Sequence, residues 1–317
     1  MLLRILHHDH CFDGAASAAY FSRFVETAFY PGSEFRFQGM IHQARQTFPD
    51  ELFDGDENAI VDFKYSSHPK LTWWFDHHQS AFLTPEDAEH FARDRSGKKL
   101  YDPEYKSCTK FISEIARDRF RFTAPELSEL VEWADIVDGA QYQDARTAVE
   151  MPAPAMKLTL VIESAKESGI SRKIIDWMRR MPLAEIVEQS EVEQLFSPLY
   201  ERHLRSVDMI KERAKQDDGV VTFDLTGYDL EGYNKFIPYY LFPQSSYTVS
   251  VLPTKVRTKI SVGSNPWSPR EITHNLATIC ERFGGGGHAK VGAISLEPGA
   301  LEQARNVAAQ IAAELKS

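Results

Sequence analysis

Three groups of histidine, aspartate and cysteine fall within the first quarter of this 317-residue chain: His7-His8-Asp9-His10-Cys11-Phe12-Asp13, then Asp62, then Asp76-His77-His78. Imidazole, carboxylate and thiolate are the side chains that hold divalent metals. This mixture suits Mn²⁺, Fe²⁺ or Zn²⁺ better than Mg²⁺. A structural core has no use for several ionisable groups at one edge, because their desolvation and mutual repulsion are costly. A bound dication removes that cost. Metal-assisted attack by water is the chemistry these residues suggest.

Each group follows a short apolar run, and those runs must do the positioning. Leu2–His8, Glu34–Gly39, Ala59–Phe63 and Leu71–Phe75 read as strands, and Gly14 to about Thr27 as a helix. Further helices are expected near 105–119, 125–136, 156–167 and 171–180. Strands followed by helices at this spacing predict an α/β fold with a doubly wound, mostly parallel sheet. In such a sheet the carboxyl ends of the strands open into one crevice, so side chains remote in sequence converge there. If the first strand stays extended, His7, Asp9, Cys11 and Asp13 project to one side, and both Asp9 and Cys11 are available as ligands.

Beyond this first domain, over 1–185, a polar helical stretch interrupted by Pro198 reads as a connector over 186–218. Residues 219–317 then form a smaller α/β domain, with strands at Val220–Leu225, Tyr247–Leu252, Val256–Val262 and Val291–Leu296. Helices near 234–241, 271–283 and 299–315 interleave with them. Arg257 and Lys259 alternate along one of these strands, so both can point to one face.

Composition narrows the function classes. Hydrophobic residues make up 43% and charged residues 26%, the balance of an ordinary globular protein. The formal charge of −10 argues against binding long nucleic acid. The chain has no apolar run of the roughly 18–20 residues that would span a bilayer, and its start does not read as a secretion signal. A cytoplasmic location without a membrane partner is the expectation. Cys11, Cys108 and Cys280 lie far apart, which argues against a disulfide framework or a thiolate zinc cluster.

Asp76-His77-His78 after a strand, Val61-Asp62-Phe63 before it, and His7 through Asp13-Gly14-Ala15-Ala16-Ser17 at the start resemble the DHH phosphoesterase superfamily. Phe283-Gly284-Gly285-Gly286-Gly287-His288 followed by a strand resembles its DHHA1 substrate-binding domain, so the resemblance spans nearly the whole chain. It implies two divalent ions, manganese first among them. Asp62 would bridge the ions, with His7 on one and Asp13 and His77 on the other. A later aspartate completes the second site: Asp135 fits better, and Asp138, one turn on, is the alternative. Cys11 stands where the usual pattern has aspartate, a change shared by branches with a His-x-x-Cys-x-Asp-Gly opening. A thiolate there biases the first site towards Zn²⁺ or Fe²⁺; alternatively Asp9 supplies the carboxylate, or that site is weak. His78 would face the phosphate as a hydrogen-bond or proton donor, and Asp76 would orient a neighbouring histidine. Gly285, Gly286, Gly287 and His288 would grip a phosphate, with Arg257 and Lys259 holding terminal phosphate or nucleotide groups.

The resemblance, with two compact domains, implies hydrolysis of short oligonucleotides or dinucleotides to mononucleotides by metal-activated water. Two alternatives stand beside it. One is a phosphatase of 3′-phosphoadenosine 5′-phosphate-like nucleotides. The other is a catalytically weakened nucleotide-binding sensor whose first metal site decayed with Cys11. A homodimer is compatible with any of these.

Overall fold

A computed structural model describes residues 1–43, 46–165, 168–230 and 232–316. The chain forms two compact units, 1–142 with 152–199 and 143–151 with 200–317.

In the first unit the chain runs β1 (Leu2–His8), α1 (Phe12–Ala28), β2 (Glu34–Met40), β3 (Glu57–Val61), β4 (Trp73–Asp76), α2 (Pro85–Arg93), β5 (Lys99–Tyr101), α3 (Cys108–Phe120) and α4 (Ser128–Asp138). Residues 143–151 contribute α5 (Ala145–Glu150) to the second unit. The first unit resumes with α6 (Pro154–Ser164), α7 (Ser168–Met178) and α8 (Leu183–Val187). The helix expected over 156–167 therefore ends at Ser164; its last two expected positions, 166 and 167, lie outside the described residues.

The sheet has strand order β2-β1-β3-β4-β5, and every pairing is parallel. The pleat explains its two-sided burial. Leu3, Ile5, Ala59, Val61, Trp73 and Phe75 pack into one cluster with residues of α1, α3, α4, α6 and α7. Their neighbours Leu6, Ile60 and Trp74 face the opposite way, into a cluster with Phe53, Phe63 and Tyr65. Both faces are apolar, as a parallel sheet requires. This order reverses direction between β1 and β3, and ligands bind at such a switch point.

The boundary between units falls within one helix, α9 (Ser190–Arg213), inside the stretch 186–218. Pro198 lies inside α9 and does not break it. It leaves one carbonyl, that of Gln194, without its helical donor. The second unit continues with β6 (Lys215–Asp217), β7 (Val220–Asp224), α10 (Ile237–Leu241), β8 (Tyr247–Pro253), β9 (Thr258–Ser264), α11 (Leu276–Glu281), β10 (Gly286–His288), β11 (Val291–Leu296) and α12 (Leu301–Glu314). Its six-stranded sheet is ordered β10-β11-β9-β8-β7-β6, antiparallel except for the β7–β8 pair. Val249, Val251, Ile260, Val262 and Ile294 pack there against residues of α11 and α12. Among the described residues no helix is long and apolar enough to cross a membrane.

Candidate metal centre

The carboxyl ends of β1, β3 and β4 supply the centre, and the turns that follow them fix its side chains. β1 stops at His8, His10 adopts φ +53°, and α1 begins at Phe12. The strand is therefore not extended through Asp13, and His7, Asp9, Cys11 and Asp13 do not share one face. Gly14 permits this tight junction, because a Cβ there would fall on the His8 carbonyl oxygen. Asp62, directly after β3, also takes a left-handed backbone at φ +56°. Among L-residues aspartate and asparagine tolerate that region best, and such strain gathers at functional sites.

Asp62 lies at the middle of the group. Its Oδ1 is 3.3 Å from His77 Nε2 and 3.8 Å from His78 Nδ1, and its Oδ2 is 3.5 Å from His8 Nδ1. His77 Nε2 also stands 3.9 Å from Asp13 Oδ2 and 3.4 Å from Asp138 Oδ2. Among the described residues, four sets of three potential ligand atoms cluster within 4.8 Å of one another: Asp13, His77 and Asp138; Asp62, His77 and His78; His8, Cys11 and Asp62; and His8, His42 and His78.

Second partners orient these groups. His77 Nδ1 donates to the Tyr105 carbonyl at 3.1 Å, which directs Nε2 at the three carboxylates. Asp76 is fully buried, and its Oδ1 accepts from the His77 and His78 amides and, at 2.7 Å, from His78 Nδ1. Asp13 accepts from the Cys108 and Thr109 amides and from the Thr109 hydroxyl, at 2.7, 3.1 and 2.6 Å. Those amides begin α3, so the helix terminus fixes an acid that belongs to α1.

The electrostatics follow from this crowding. Burial opposes ionisation of Asp62, but His77 and His8 outweigh it and hold its carboxyl well below the usual range. Burial also opposes charge on His77 and His78. For His77, Asp62, Asp13 and Asp138 prevail and raise it to about 10. For His78, Asp76 and Asp62 raise it to about 9. Burial, then Asp62, pushes Asp138 up to about 6, and burial with Asp62 and Asp138 pushes Asp13 well up. Burial and the three carboxylates push the Cys11 thiol up as well. Burial, followed by His8 and His78, lowers His42 to about 4.

The residues fit a divalent metal. Asp62 Oδ1, His77 Nε2 and His8 Nδ1 are buried without a hydrogen-bond partner among the described residues, which proteins otherwise avoid. The donor set of carboxylate and imidazole is that of transition-metal sites.

The expected residues are not all brought here. Asp135 is not in the group: its Oδ2 accepts from Lys110 Nζ at 2.9 Å, whereas Asp138, one turn on in α4, stands against His77. Asp9 turns over Gly39 and accepts from the His10 amide, while Cys11 joins His8 and Asp62. His7 is buried, with Nδ1 3.0 Å from the His8 carbonyl oxygen, and is in none of the four sets; His8 takes the position expected for it. The His-x-x-Cys-x-Asp-Gly register, counted back from Cys11, starts at His8 and could have found it. His42 carries no motif and follows β2; strand order alone brings it near.

In the second unit, Arg257 sits in the turn between β8 and β9, not within a strand, and its guanidinium donates to Ser295 Oγ at 3.3 Å. Lys259 lies on β9, half-buried. Asn265, directly after β9, donates through Nδ2 to the Ser245 carbonyl at 2.7 Å. Gly286–His288 form β10, paired to β11. A Cβ at Gly285 or Gly287 would overlap the backbone of Ala293 or Val291. Close approach to β11 thus accounts for these two glycines without a ligand. Gly286 faces open space and His288 is exposed.

No protein-family model matches the chain, and no curated protein sequence does. Solved structures match it. PggH from Vibrio cholerae, a pGpG-specific phosphodiesterase, gives a TM-score of 0.70 at 19% identity, over 99% of this chain and 98% of its own. The DHH domain of a member of a ribosomal protein family gives 0.60 at 13% identity, over 100% of this chain and 87% of its own. RecJ from Thermus thermophilus, in complex with Mn²⁺, gives 0.56 at 15% identity, over 99% of this chain and 52% of its own. At these identities the likeness is one of fold. The chain shares the fold of these three structures.

Proposed function

We propose that the protein is a metal-dependent phosphoesterase that hydrolyses short oligonucleotides or dinucleotides to mononucleotides. One observation carries this reading: Asp13, Asp62, His77 and Asp138 converge with buried, unpartnered Asp62 Oδ1 and His77 Nε2 between them. The fold shared over nearly full length with a pGpG-specific phosphodiesterase supports the substrate class.

Asp62, His77, Asp13 and Asp138 would hold one cation, and Asp62 with His8 and Cys11 a second, with manganese favoured at the carboxylate-rich site. Such ions supply positive charge against a phosphoryl group and acidify water. The protein's own residues do the rest. His78, with Nδ1 fixed on Asp76, keeps Nε2 free, and its raised pKa leaves it protonated at neutral pH. It is placed to donate a hydrogen bond or a proton to charge developing on phosphate oxygen. Asp76 has its own anchor in two backbone amides, so it fixes the ring without moving. In the second unit, Arg257, Lys259, Gly286 and His288 are the proposed contacts to nucleotide phosphate.

The test is hydrolysis of pGpG, short RNA, short DNA and 3′-phosphoadenosine 5′-phosphate with and without Mn²⁺. Metal-dependent release of mononucleotides from the dinucleotide and short RNA is expected. Release of phosphate from the bisphosphate alone, or binding without turnover, would displace the reading.

A further inference from the structure

Beside the carboxylate-bearing groups stands one made of imidazoles alone. His8, His42 and His78 each offer a ring nitrogen within 4.8 Å of the other two. Ring centroids lie 4.6 Å apart for His8 and His42, 5.8 Å for His8 and His78, and 6.0 Å for His42 and His78. His42 reaches this position from the loop after β2, and Phe63 stacks on its ring at 4.5 Å and 10°. Phe63 follows Asp62 directly, so one short segment sets both the bridging carboxylate and the third histidine. His78 is committed to Asp76 through Nδ1, and His8 faces Asp62 through Nδ1 at 3.5 Å.

We propose that His8, His42 and His78 form an additional cation site, adjoining the carboxylate centre, that takes a borderline dication of the Zn²⁺, Co²⁺ or Ni²⁺ class. Three imidazoles with an open fourth position are a zinc-type donor set, and a site without carboxylate oxygen discriminates against Mn²⁺ and Mg²⁺. A neutral His8 has one lone pair, so a borderline dication here would compete for it with the cation at Asp62, His8 and Cys11. His42 is the discriminating residue, since His8 and His78 also belong to the sets around Asp62. The inference rests on the metal-centre reading above only in sharing those two histidines.

The experiment is equilibrium dialysis with Zn²⁺ and with Mn²⁺, together with Co²⁺ visible absorption, on the wild-type protein, His42→Ala and His42→Phe. The phenylalanine variant keeps the stacking on Phe63 and removes both nitrogens. Both variants are expected to lose one equivalent of Zn²⁺ or bind it at least tenfold more weakly, to lose Co²⁺ ligand-field absorption, and to bind Mn²⁺ as the wild type does. Equal Zn²⁺ stoichiometry and affinity in all three, with Mn²⁺ still bound, overturns this inference and leaves the carboxylate centre standing. Loss of inorganic phosphate binding in the variants with Zn²⁺ unchanged would make the triad an anion site and overturn it too. A wild type that binds neither metal refutes the carboxylate centre as well.

Discussion

His77 Nε2 lies 3.3 Å from Asp62 Oδ1; both atoms are buried, and among the described residues neither has a well-aligned hydrogen-bond partner. One comes from the end of β4 and the other from the turn after β3, fifteen positions apart in sequence but on neighbouring strands. The geometry leaves the pair electrostatically attracted yet unsatisfied, the state expected of ligands arranged for an ion rather than for each other.

Asp62 should therefore be the least replaceable residue of the centre. Asp62→Asn keeps the shape and tolerates the left-handed backbone at φ +56°. The variant is expected to fold, with a lower melting temperature in chelator because Asp62 no longer faces His77 and His8 as a charge. Mn²⁺-dependent hydrolysis should fall by at least about 10²–10³-fold, the scale of losing one well-placed electrostatic group. Steady-state kinetics paired with thermal melting check this; undiminished turnover would remove Asp62 from the centre.

Asp135 and Asp138 offer a paired comparison one helical turn apart. Asp138→Asn removes a carboxylate 3.4 Å from His77 and should weaken Mn²⁺ binding by about 10-fold or more. Asp135→Asn removes the charge partner of the half-exposed Lys110 and an acceptor for Ser107 and Gln141 at 3.5 Å. Exposed pairs of this kind contribute about 0–1 kcal/mol, so metal binding should be unchanged. Calorimetric titration of both variants distinguishes them, and the reverse ranking would restore Asp135 to the site.

The strands were legible because β1, β3 and β4 are short apolar runs with abrupt polar ends, and the convergence of those ends followed from parallel-sheet geometry alone. Residue-level placement was less so. Extending β1 through Asp13 put four side chains on one face, but the left-handed residue at His10 turns the chain before Cys11. The choice between Asp135 and Asp138 depended on where α4 ends, and Lys110 from α3 decides which acid is already paired. His42 was invisible because nothing local marks it; its role depends on β2 lying beside β1. The glycine run reads differently again, since close approach to β11 explains Gly285 and Gly287.

His203, in the second unit, gives a pH test on a residue outside the metal centre. It is buried, with Nε2 2.8 Å from the Val149 carbonyl oxygen, and burial lowers its pKa below 6.5. The folded state then binds fewer protons than the unfolded state, so stability rises with pH in that window. The contribution is present above 6.5 and lost as pH falls through the folded pKa. His203→Gln retains a side-chain N–H and removes the titration. Chemical denaturation in chelator should show a smaller loss between pH 7 and 5 for the variant than for the wild type; equal losses would remove His203 from the explanation.

Metal binding should itself be strongly pH-dependent, through His77. Burial opposes its protonation, but Asp62, Asp13 and Asp138 hold it at about 10, so at pH 7–9 the metal-free protein carries a proton there. A cation taking His77 Nε2 must displace that proton, so Mn²⁺ affinity should rise with pH, by about tenfold per unit where one proton is released. It should level off above about 10. Below pH 6, Asp138, raised to about 6, adds a second displaced proton and a steeper slope. The stability of the metal-free protein runs the other way. A histidine raised above 6.5 contributes stability that is fully present below 6.5 and lost as pH rises through about 10, and Asp138 contributes likewise from 3.8 to about 6. The stabilisation conferred by a fixed Mn²⁺ concentration should therefore widen from pH 7 to 9, as measured by denaturant unfolding with metal and with chelator. A constant gap would mean that His77 sheds no proton on binding, and that it is not a ligand.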